Sequence, residues 1–137
     1  MRALMDGPSE EAIMTAAFSL NFEALSIDCA DPGALAGFWG KVLGRPVTLG
    51  AVPGDMAVDA TDPDSGPWLL FHPVSEPEAA KNRLRPVLLT ETYDEGIGRL
   101  TGLGARPLNE TKLPAVRWTT FGDLEGNEFD LVTWQPQ

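Results

Sequence analysis

Apolar residues recur at helical spacing in a segment that begins just after Asp31. Asp is a residue type that caps helices, and Pro32 suits the first helical position because proline lacks the N–H that would be unpaired there. The apolar stripe that follows consists of Leu35, Phe38, Trp39, Val42 and Leu43. Gly44 then gives the signal that ends a helix. The pattern therefore predicts a helix between Asp31 and Gly44.

A second helical stripe lies in the C-terminal half and starts after Thr92 or Asp94, either of which is a suitable cap. It consists of Ile97, Leu100 and Leu103, and Gly104 is its stop signal. Glycines inside this segment lower its intrinsic helix propensity. We therefore expect packing against the rest of the molecule to stabilise this helix.

Short β-prone segments flank both helices, and Gly, Pro and Asp turns separate them. One strand is predicted before each helix, at residues 22–29 and 84–90. Three strands are predicted after each helix: 47–49, 56–60 and 68–74 in the first half, and 106–109, 115–121 and 128–134 in the second. Each half of the chain therefore has the order strand, helix and three strands.

The two halves are also similar in sequence, at an offset of about 60 residues. Segment 43–47 (LGRPV) recurs at 103–108 (LGARPL), and segment 62–66 (DPDSG) recurs at 123–127 (DLEGN). Both copies lead into an apolar, β-prone segment. The sequence is therefore interpreted as a tandem repeat of one supersecondary unit.

The repeat defines the predicted domain organisation. Residues 1–18 lie outside it as an N-terminal arm, and the remainder, 19–137, is expected to form a single domain. That domain consists of module 1 (19–75) and module 2 (84–135), joined by a linker that contains a proline and several charges.

Composition narrows the range of partners. The 137 residues carry 20 acidic against 10 basic side chains, and a net charge of −10 repels phosphate backbones and anionic lipid surfaces. The single cysteine, Cys29, excludes an internal disulfide and a thiolate zinc site. Acidic residues interrupt any secretory signal in the first 18 residues, and no apolar run is long enough for a membrane span. We expect a cytoplasmic protein with no nucleic-acid or membrane partner.

The repeat, the strand and Trp-containing helix of 24–44, and the Asp-x-Glu-Gly-Asn turn at 123–127 resemble the vicinal oxygen chelate superfamily. The resemblance is closest to its glyoxalase-like and bleomycin-resistance-like members and covers about residues 20–135. It implies an α+β fold in which two tandem βαβββ modules form a cup-shaped mixed sheet, with a small organic ligand in the cup. It also implies a homodimer, because relatives commonly pair.

Enzymes of this superfamily hold a divalent metal in the cup. Carried over residue by residue, their ligand positions fall on Ala24, Arg85, His72 and Asp130. Ala24 has no donor atom and Arg85 is a permanent cation, so only two donors remain where at least three are usual. We therefore expect no metal and no other cofactor. The guanidinium of Arg85 is expected to pair with Asp130 in place of the metal.

Strand alternation places residues two apart on one side of a strand and so indicates which side chains face the cup. The expected ligand-binding residues are Arg85, Asp130, His72, Trp68, Trp118, Ser26 and Glu128. His72, the sole histidine, is the candidate acid–base group, since imidazole ordinarily titrates near neutrality.

Each candidate also has a structural interpretation. Asp130 and Glu128 are consistent with solvated carboxylates on an edge strand, and Arg85 with a basic cluster that offsets acidic neighbours. The two strand tryptophans fit burial in the core or in a dimer interface as well as stacking on a planar ligand. Trp39 is expected in the core because of its helical spacing, and Cys29 is expected to be an inert buried thiol.

Three functional hypotheses follow. The first is a protein that binds a small organic molecule without a catalytic metal, either to sequester it or as a metal-free enzyme. The alternative is a metal-dependent lyase, isomerase or dioxygenase whose ligands are non-standard, such as Glu23, Asp28 or Glu128. The third is an interaction module whose cup is filled by its own side chains. The identity of the ligand does not follow from this sequence.

Overall fold

The computed structural model describes residue 20 and residues 22–60, 66–75 and 83–135. The predicted arm at 1–18 lies outside the described residues, as do most of the turn at 62–66 and most of the predicted linker.

Within these residues the order strand, helix and three strands occurs twice. The first module consists of β1 (Ala24–Cys29), α1 (Pro32–Leu43), β2 (Val47–Leu49), β3 (Met56–Val58) and β4 (Trp68–Pro73). The second consists of β5 (Val87–Leu89), α2 (Tyr93–Gly102), β6 (Arg106–Lys112), β7 (Val116–Gly122) and β8 (Glu128–Trp134). The predicted α+β architecture of two βαβββ modules is thus confirmed.

The strands form two four-stranded mixed sheets with equivalent strand orders, β1-β4-β3-β2 and β5-β8-β7-β6. In each sheet the first strand pairs in parallel with the last, and the other neighbours are antiparallel. A parallel pair needs a long crossover connection, and here that connection contains the helix and the two strands that follow it. The pairing therefore repeats between modules, as the sequence repeat predicts.

Helix α1 begins and ends where its capping residues predict. The Asp31 Oδ1 accepts a hydrogen bond from the Ala34 N–H at 3.1 Å, and Gly44 adopts the left-handed conformation with φ 65°. In α2, Thr92 is the N-cap without a side-chain bond to the helix. Gly104 follows the end of α2 with φ 109°, a conformation that favours glycine.

Two strands differ in length from their predictions. β5 starts at Val87 instead of residue 84, because Pro86 has no N–H to donate to a ladder. Arg85 therefore precedes the strand. β6 extends to Lys112 instead of residue 109, since its polar residues pair with β7 as far as Arg117 while their side chains face water at the edge of the sheet.

The core is shared by the two modules. Trp39 of α1 lies 4.9 Å from the Phe129 ring centroid of β8, and Phe38 lies 6.3 Å from it. Phe121 of β7 stacks on Phe129, with 5.6 Å between the ring centroids. Aromatic pairs at these separations add to the stabilisation from buried area. Trp39 lies in the core, as its spacing predicts, and so does Cys29.

None of the described helices is long and apolar enough to cross a membrane.

Candidate functional site

A cavity of about 740 Å³ lies between the two modules and is called the intermodule cavity below. Its apolar wall in module 1 includes Phe22, Leu25, Ile27, Leu43 and Leu69, and its apolar wall in module 2 includes Leu84, Val87 and Leu88. The cavity lies where the modules meet, because β1 and β5, the end strands of the two sheets, both contribute to its lining. The cavity has the size and largely apolar lining that are typical of small-molecule sites.

Arg85 lies in this lining and is held by two carboxylates of β8. Its Nε is 3.2 Å from Asp130 Oδ2, and its Nη1 is 3.3 Å from Glu128 Oε1. Asp130 is nearly buried and also accepts a hydrogen bond of 2.6 Å from the Thr120 hydroxyl. The expected pair of Arg85 and Asp130 is therefore present, and Glu128 completes a bridge of one cation between two acids.

The residues at the family's metal positions do not fit a metal. Ala24 offers no donor, and the Asp130 carboxylate is already occupied by Arg85 and Thr120. In the described part of the chain, no three His, Cys, Asp or Glu side chains come close enough to share a cation. The alternative ligand Glu128 is bonded to Arg85, so it is not available without breaking that bridge.

His72 lies on β4 outside the lining of the intermodule cavity. Its Nδ1 is 2.7 Å from Asp55 Oδ1, and its side chain is 46% exposed. On the neighbouring strand its partner in register is Asp28. The candidate acid–base group is thus paired with a carboxylate at the surface of the first sheet.

The two strand tryptophans also lie outside the cavity lining. Trp68 is paired with Ala24, and Trp118 with Val132, and both are half-buried. From this part of β4 it is Leu69, of the opposite parity, that reaches the cavity. The structure therefore brings together Ser26, Arg85 and Glu128 at the cavity, and Asp130 joins them through Arg85.

The Asp-x-Glu-Gly-Asn turn forms part of the cavity lining and has a structural role. Asp123 Oδ1 accepts hydrogen bonds from the backbone N–H groups of Glu125 and Asn127, both at 2.9 Å. Asp123 Oδ2 accepts one from the Trp39 indole, also at 2.9 Å. The turn thus fixes its own shape and binds the core tryptophan of the other module.

Glu125 connects the same turn to the start of α1. Its two carboxylate oxygens accept hydrogen bonds from the backbone N–H groups of Ala30 and Asp31, each at 2.8 Å. Charge-assisted bonds of this kind are stronger than neutral ones. Sequence reasoning identified the motif but not this contact, because the motif's partners lie in the other module.

Sequence reasoning also missed two basic residues of the lining, Arg45 and Arg83. Both lie between regular elements, where strand alternation does not indicate the direction in which a side chain points. Arg45 directly follows the αL glycine of α1, and its Nη1 donates a hydrogen bond to the Pro67 carbonyl at 3.0 Å. The signal that could have identified Arg45 is its position directly after the repeated Leu-Gly pair.

Several solved structures share this fold. A glyoxalase/bleomycin resistance/dioxygenase superfamily member from Sphaerobacter thermophilus has a TM-score of 0.64 and 20% identity, over 85% of this chain and 98% of that one. A mutant of the fosfomycin resistance protein FosX from Listeria monocytogenes, complexed with Mn(II) and 1S,2S-dihydroxypropylphosphonic acid, has a TM-score of 0.65 and 14% identity, over 82% and 88%. TioX from Micromonospora sp. ML1 has a TM-score of 0.56 and 18% identity, over 85% and 100%.

The sequence matches none of the curated proteins. The family model of a glyoxalase-like domain matches residues 24–132, which is well over half of the chain and includes both modules. The chain therefore belongs to the glyoxalase-like family, as its repeat and its 123–127 turn predict.

Proposed function

We propose that this protein binds a small organic molecule in the intermodule cavity without a catalytic metal. The observation that carries the proposal is the bridge of Arg85 between Glu128 and Asp130, at a position where the superfamily resemblance implies a metal ligand. The guanidinium satisfies both carboxylates, and a divalent cation entering there would face its positive charge at close range.

The lining supports binding more than catalysis. Among the described lining residues there is no histidine and no cysteine, and His72 lies outside and is paired with Asp55. Of the lining carboxylates, Asp123 and Glu128 are already bonded within the protein, and Asp28 is exposed near the end of β1. Proton transfer requires a group within hydrogen-bond reach of the reacting atom. Sequestration or transport of the ligand is therefore favoured over a metal-free reaction. An interaction module with a filled cup is disfavoured by the volume of the cavity.

We also propose a homodimer. β5 is an end strand of its sheet, and its Leu89 side chain, which lies outside the lining of the intermodule cavity, is 67% exposed. An apolar side chain on an unpaired edge favours association with another chain. A second copy of this protein that covers Leu89 would remove it from water.

Metal binding is the first test of the proposal. Protein purified without chelators is expected to contain far less than one metal ion per chain, and Mn²⁺, Zn²⁺ or Fe²⁺ should not raise its melting temperature. The double variant Ala24→His with Arg85→His restores donors at two positions and serves as the positive control. A tightly bound stoichiometric metal in the unmodified protein would instead support the lyase, isomerase or dioxygenase alternative.

Ligand binding is the second test. A thermal-shift screen of small organic molecules is expected to find compounds that stabilise the protein, and Ser26→Trp should abolish the shift because Ser26 is exposed and lines the cavity. Thr48→Trp, at an exposed position of β2 outside the lining, is the matched control. Equal shifts in both variants would place the ligand elsewhere.

A further inference from the structure

Among the described residues, three guanidinium groups line the intermodule cavity, and their surroundings differ. Arg85 is neutralised by Glu128 and Asp130. Arg45 makes one hydrogen bond, to the Pro67 carbonyl, which is a neutral acceptor and leaves the charge in place. Within the described residues, Arg83 forms no ion pair. Two of the three positive charges are therefore not balanced by a described carboxylate partner.

None of the acidic residues in the described lining forms an ion pair with Arg45. Asp123 accepts hydrogen bonds from neutral groups, the N–H groups of its own turn and the Trp39 indole, and Glu128 is bonded to Arg85. Asp28 remains, but it lies at the far end of β1. Arg45 bonds to Pro67, the residue before Trp68, and Trp68 is the register partner of Ala24. Asp28 is four residues beyond Ala24 on β1, a separation of about 13 Å at 3.3 Å per residue.

Arg45 shares the cavity lining with apolar residues. Leu43 and Leu69 belong to the same lining, and Leu25 is the register partner of Leu69. Arg45 itself is half-buried. A charge in such a setting interacts more strongly than it would in bulk water, because the local dielectric constant is lower. The side chain still has N–H donors beyond the one that bonds Pro67.

We propose that the ligand of the intermodule cavity is an apolar molecule with one anionic oxygen-acid group, such as a carboxylate, and that Arg45 binds this group. The planar guanidinium suits two-point contact with a carboxylate. Arg83, at the exposed rim, adds positive potential that attracts the anion. This inference rests on the proposed ligand-binding function of the cavity.

Arg85 has a different role from the one that its charge first implies. An anion at Arg85 would compete with Glu128 and Asp130, two carboxylates already within 3.3 Å and 3.2 Å of the guanidinium. Like charges at that distance repel. Arg85 therefore shapes the lining, while Arg45 selects the ligand.

Matched pairs of probes test the ligand class. Octanoate and 4-phenylbutyrate are compared with octanamide and 4-phenylbutanamide by isothermal titration calorimetry at low ionic strength. The carboxylates are expected to bind roughly tenfold or more tightly than the amides, the usual effect of a charge-assisted hydrogen bond. The preference should weaken as salt is added, since part of it comes from Arg83 at the rim.

Variants of the arginines assign the contact. Arg45→Gln should remove most of the preference for the carboxylate and change the amide affinity little, and Arg45→Lys should retain part of the preference. Arg83→Gln should mainly reduce the salt dependence. Arg106→Gln makes the same change of charge on the exposed edge strand β6 and should behave as the unmodified protein. A melting curve of each variant confirms that it is folded.

The outcomes separate the two proposals. If amides and carboxylates bind equally well and Arg45→Gln changes neither, the cavity binds apolar ligands and the anionic class is wrong. If neither class of probe binds at millimolar concentration, the proposed ligand-binding function fails together with this inference.

Discussion

Arg85 is in contact with two acids of unequal burial, and its removal would take away the ion-pair partner that the structure describes for Asp130. The Asp130 side chain is 11% exposed and the Arg85 side chain 41%, so solvent screens the pair only in part. Arg85→Ala is expected to lower the free energy of unfolding by about 1–2 kcal/mol in urea titrations at neutral pH. The loss arises because Asp130 stays charged beside Glu128 with only the Thr120 hydroxyl as a described side-chain donor.

The control for this prediction lies two residues away. Arg83→Ala should leave the free energy of unfolding almost unchanged, because Arg83 has no ion pair in the described region. Adding Asp130→Asn to Arg85→Ala should recover part of the loss, and a double-mutant cycle measures that coupling. Equal effects of Arg83→Ala and Arg85→Ala would contradict the bridge.

Cys29 gives the protein a pH dependence on the alkaline side. Burial, together with the nearby charges of Glu125 and Asp28, raises the pKa of its thiol from 9.0 to about 11. Between these values the unfolded chain has lost the proton that the folded chain keeps, so stability falls as pH rises. The expected slope is up to about 1.4 kcal/mol per pH unit.

The slope is measured by urea unfolding from pH 8 upward, with Cys29→Ala as the comparison. Cys29→Ala should lack this part of the decline in stability. The difference between the free energies of unfolding of the two proteins should therefore narrow above the ordinary thiol pKa. If the stabilities of the two proteins changed in parallel with pH, the thiol would ionise equally in the folded and unfolded states. The same burial predicts that alkylating reagents modify Cys29 only on unfolding.

Among the elements, α1 offers a test in which one substitution has opposite effects at two positions. A Cβ on Gly40 would lie 2.6 Å from Val47 Cγ2 and 3.0 Å from the Arg45 carbonyl, whereas a Cβ on Gly37 would meet nothing within 4 Å. Gly40→Ala should therefore lower the free energy of unfolding by about 1–3 kcal/mol through overpacking. Gly37→Ala should raise it by about 0.5–1 kcal/mol through helix propensity.

Thermal or urea unfolding of the two variants decides this prediction. If Gly40→Ala stabilised the protein, β2 would have to move away from α1 without any loss of stability. Gly40 thus allows the helix to approach the strand closely, and this contact positions Arg45 at the cavity.

The elements were predictable from sequence where local chemistry determines them. Capping residues define both ends of α1, and β8 has the bounds that its apolar alternation predicts. Apolar alternation alone predicts β5 too long, because it takes no account of the missing N–H of Pro86. β6 was predicted too short because its extension depends on β7, a partner that its own sequence does not specify.

The site was predictable only in part for a related reason. Ser26, Arg85 and Glu128 reach the cavity, and all were inferred from strand parity and family position. On β4 the parity rule selected His72, but the face that meets module 2 carries Leu69. Which face is covered depends on how the two sheets pack, and that is a tertiary property.

At the scale of the whole molecule, the exposed Leu89 of β5 leads to a prediction about the oligomeric state. Light scattering on the purified protein should give about twice the chain mass of 14.7 kDa. Leu89→Glu should reduce the mass to that of one chain, because it places a charge in the proposed interface. Leu113→Glu, at a half-exposed position between β6 and β7, is the control and should remain dimeric. A monomeric unmodified protein would refute the dimer.

The carboxylates of the 123–127 turn also have a consequence for folding. Asp123 binds Trp39, and Glu125 binds the backbone at Ala30 and Asp31, so each of these bonds joins one module to the other. If either module unfolds, the other loses these partners and exposes the aromatic face of α1 to water. Urea unfolding followed by tryptophan fluorescence and by far-UV circular dichroism should therefore give coincident curves. Although the sequence repeats, the cooperative unit of folding is the pair of modules, and neither half is expected to be stable by itself.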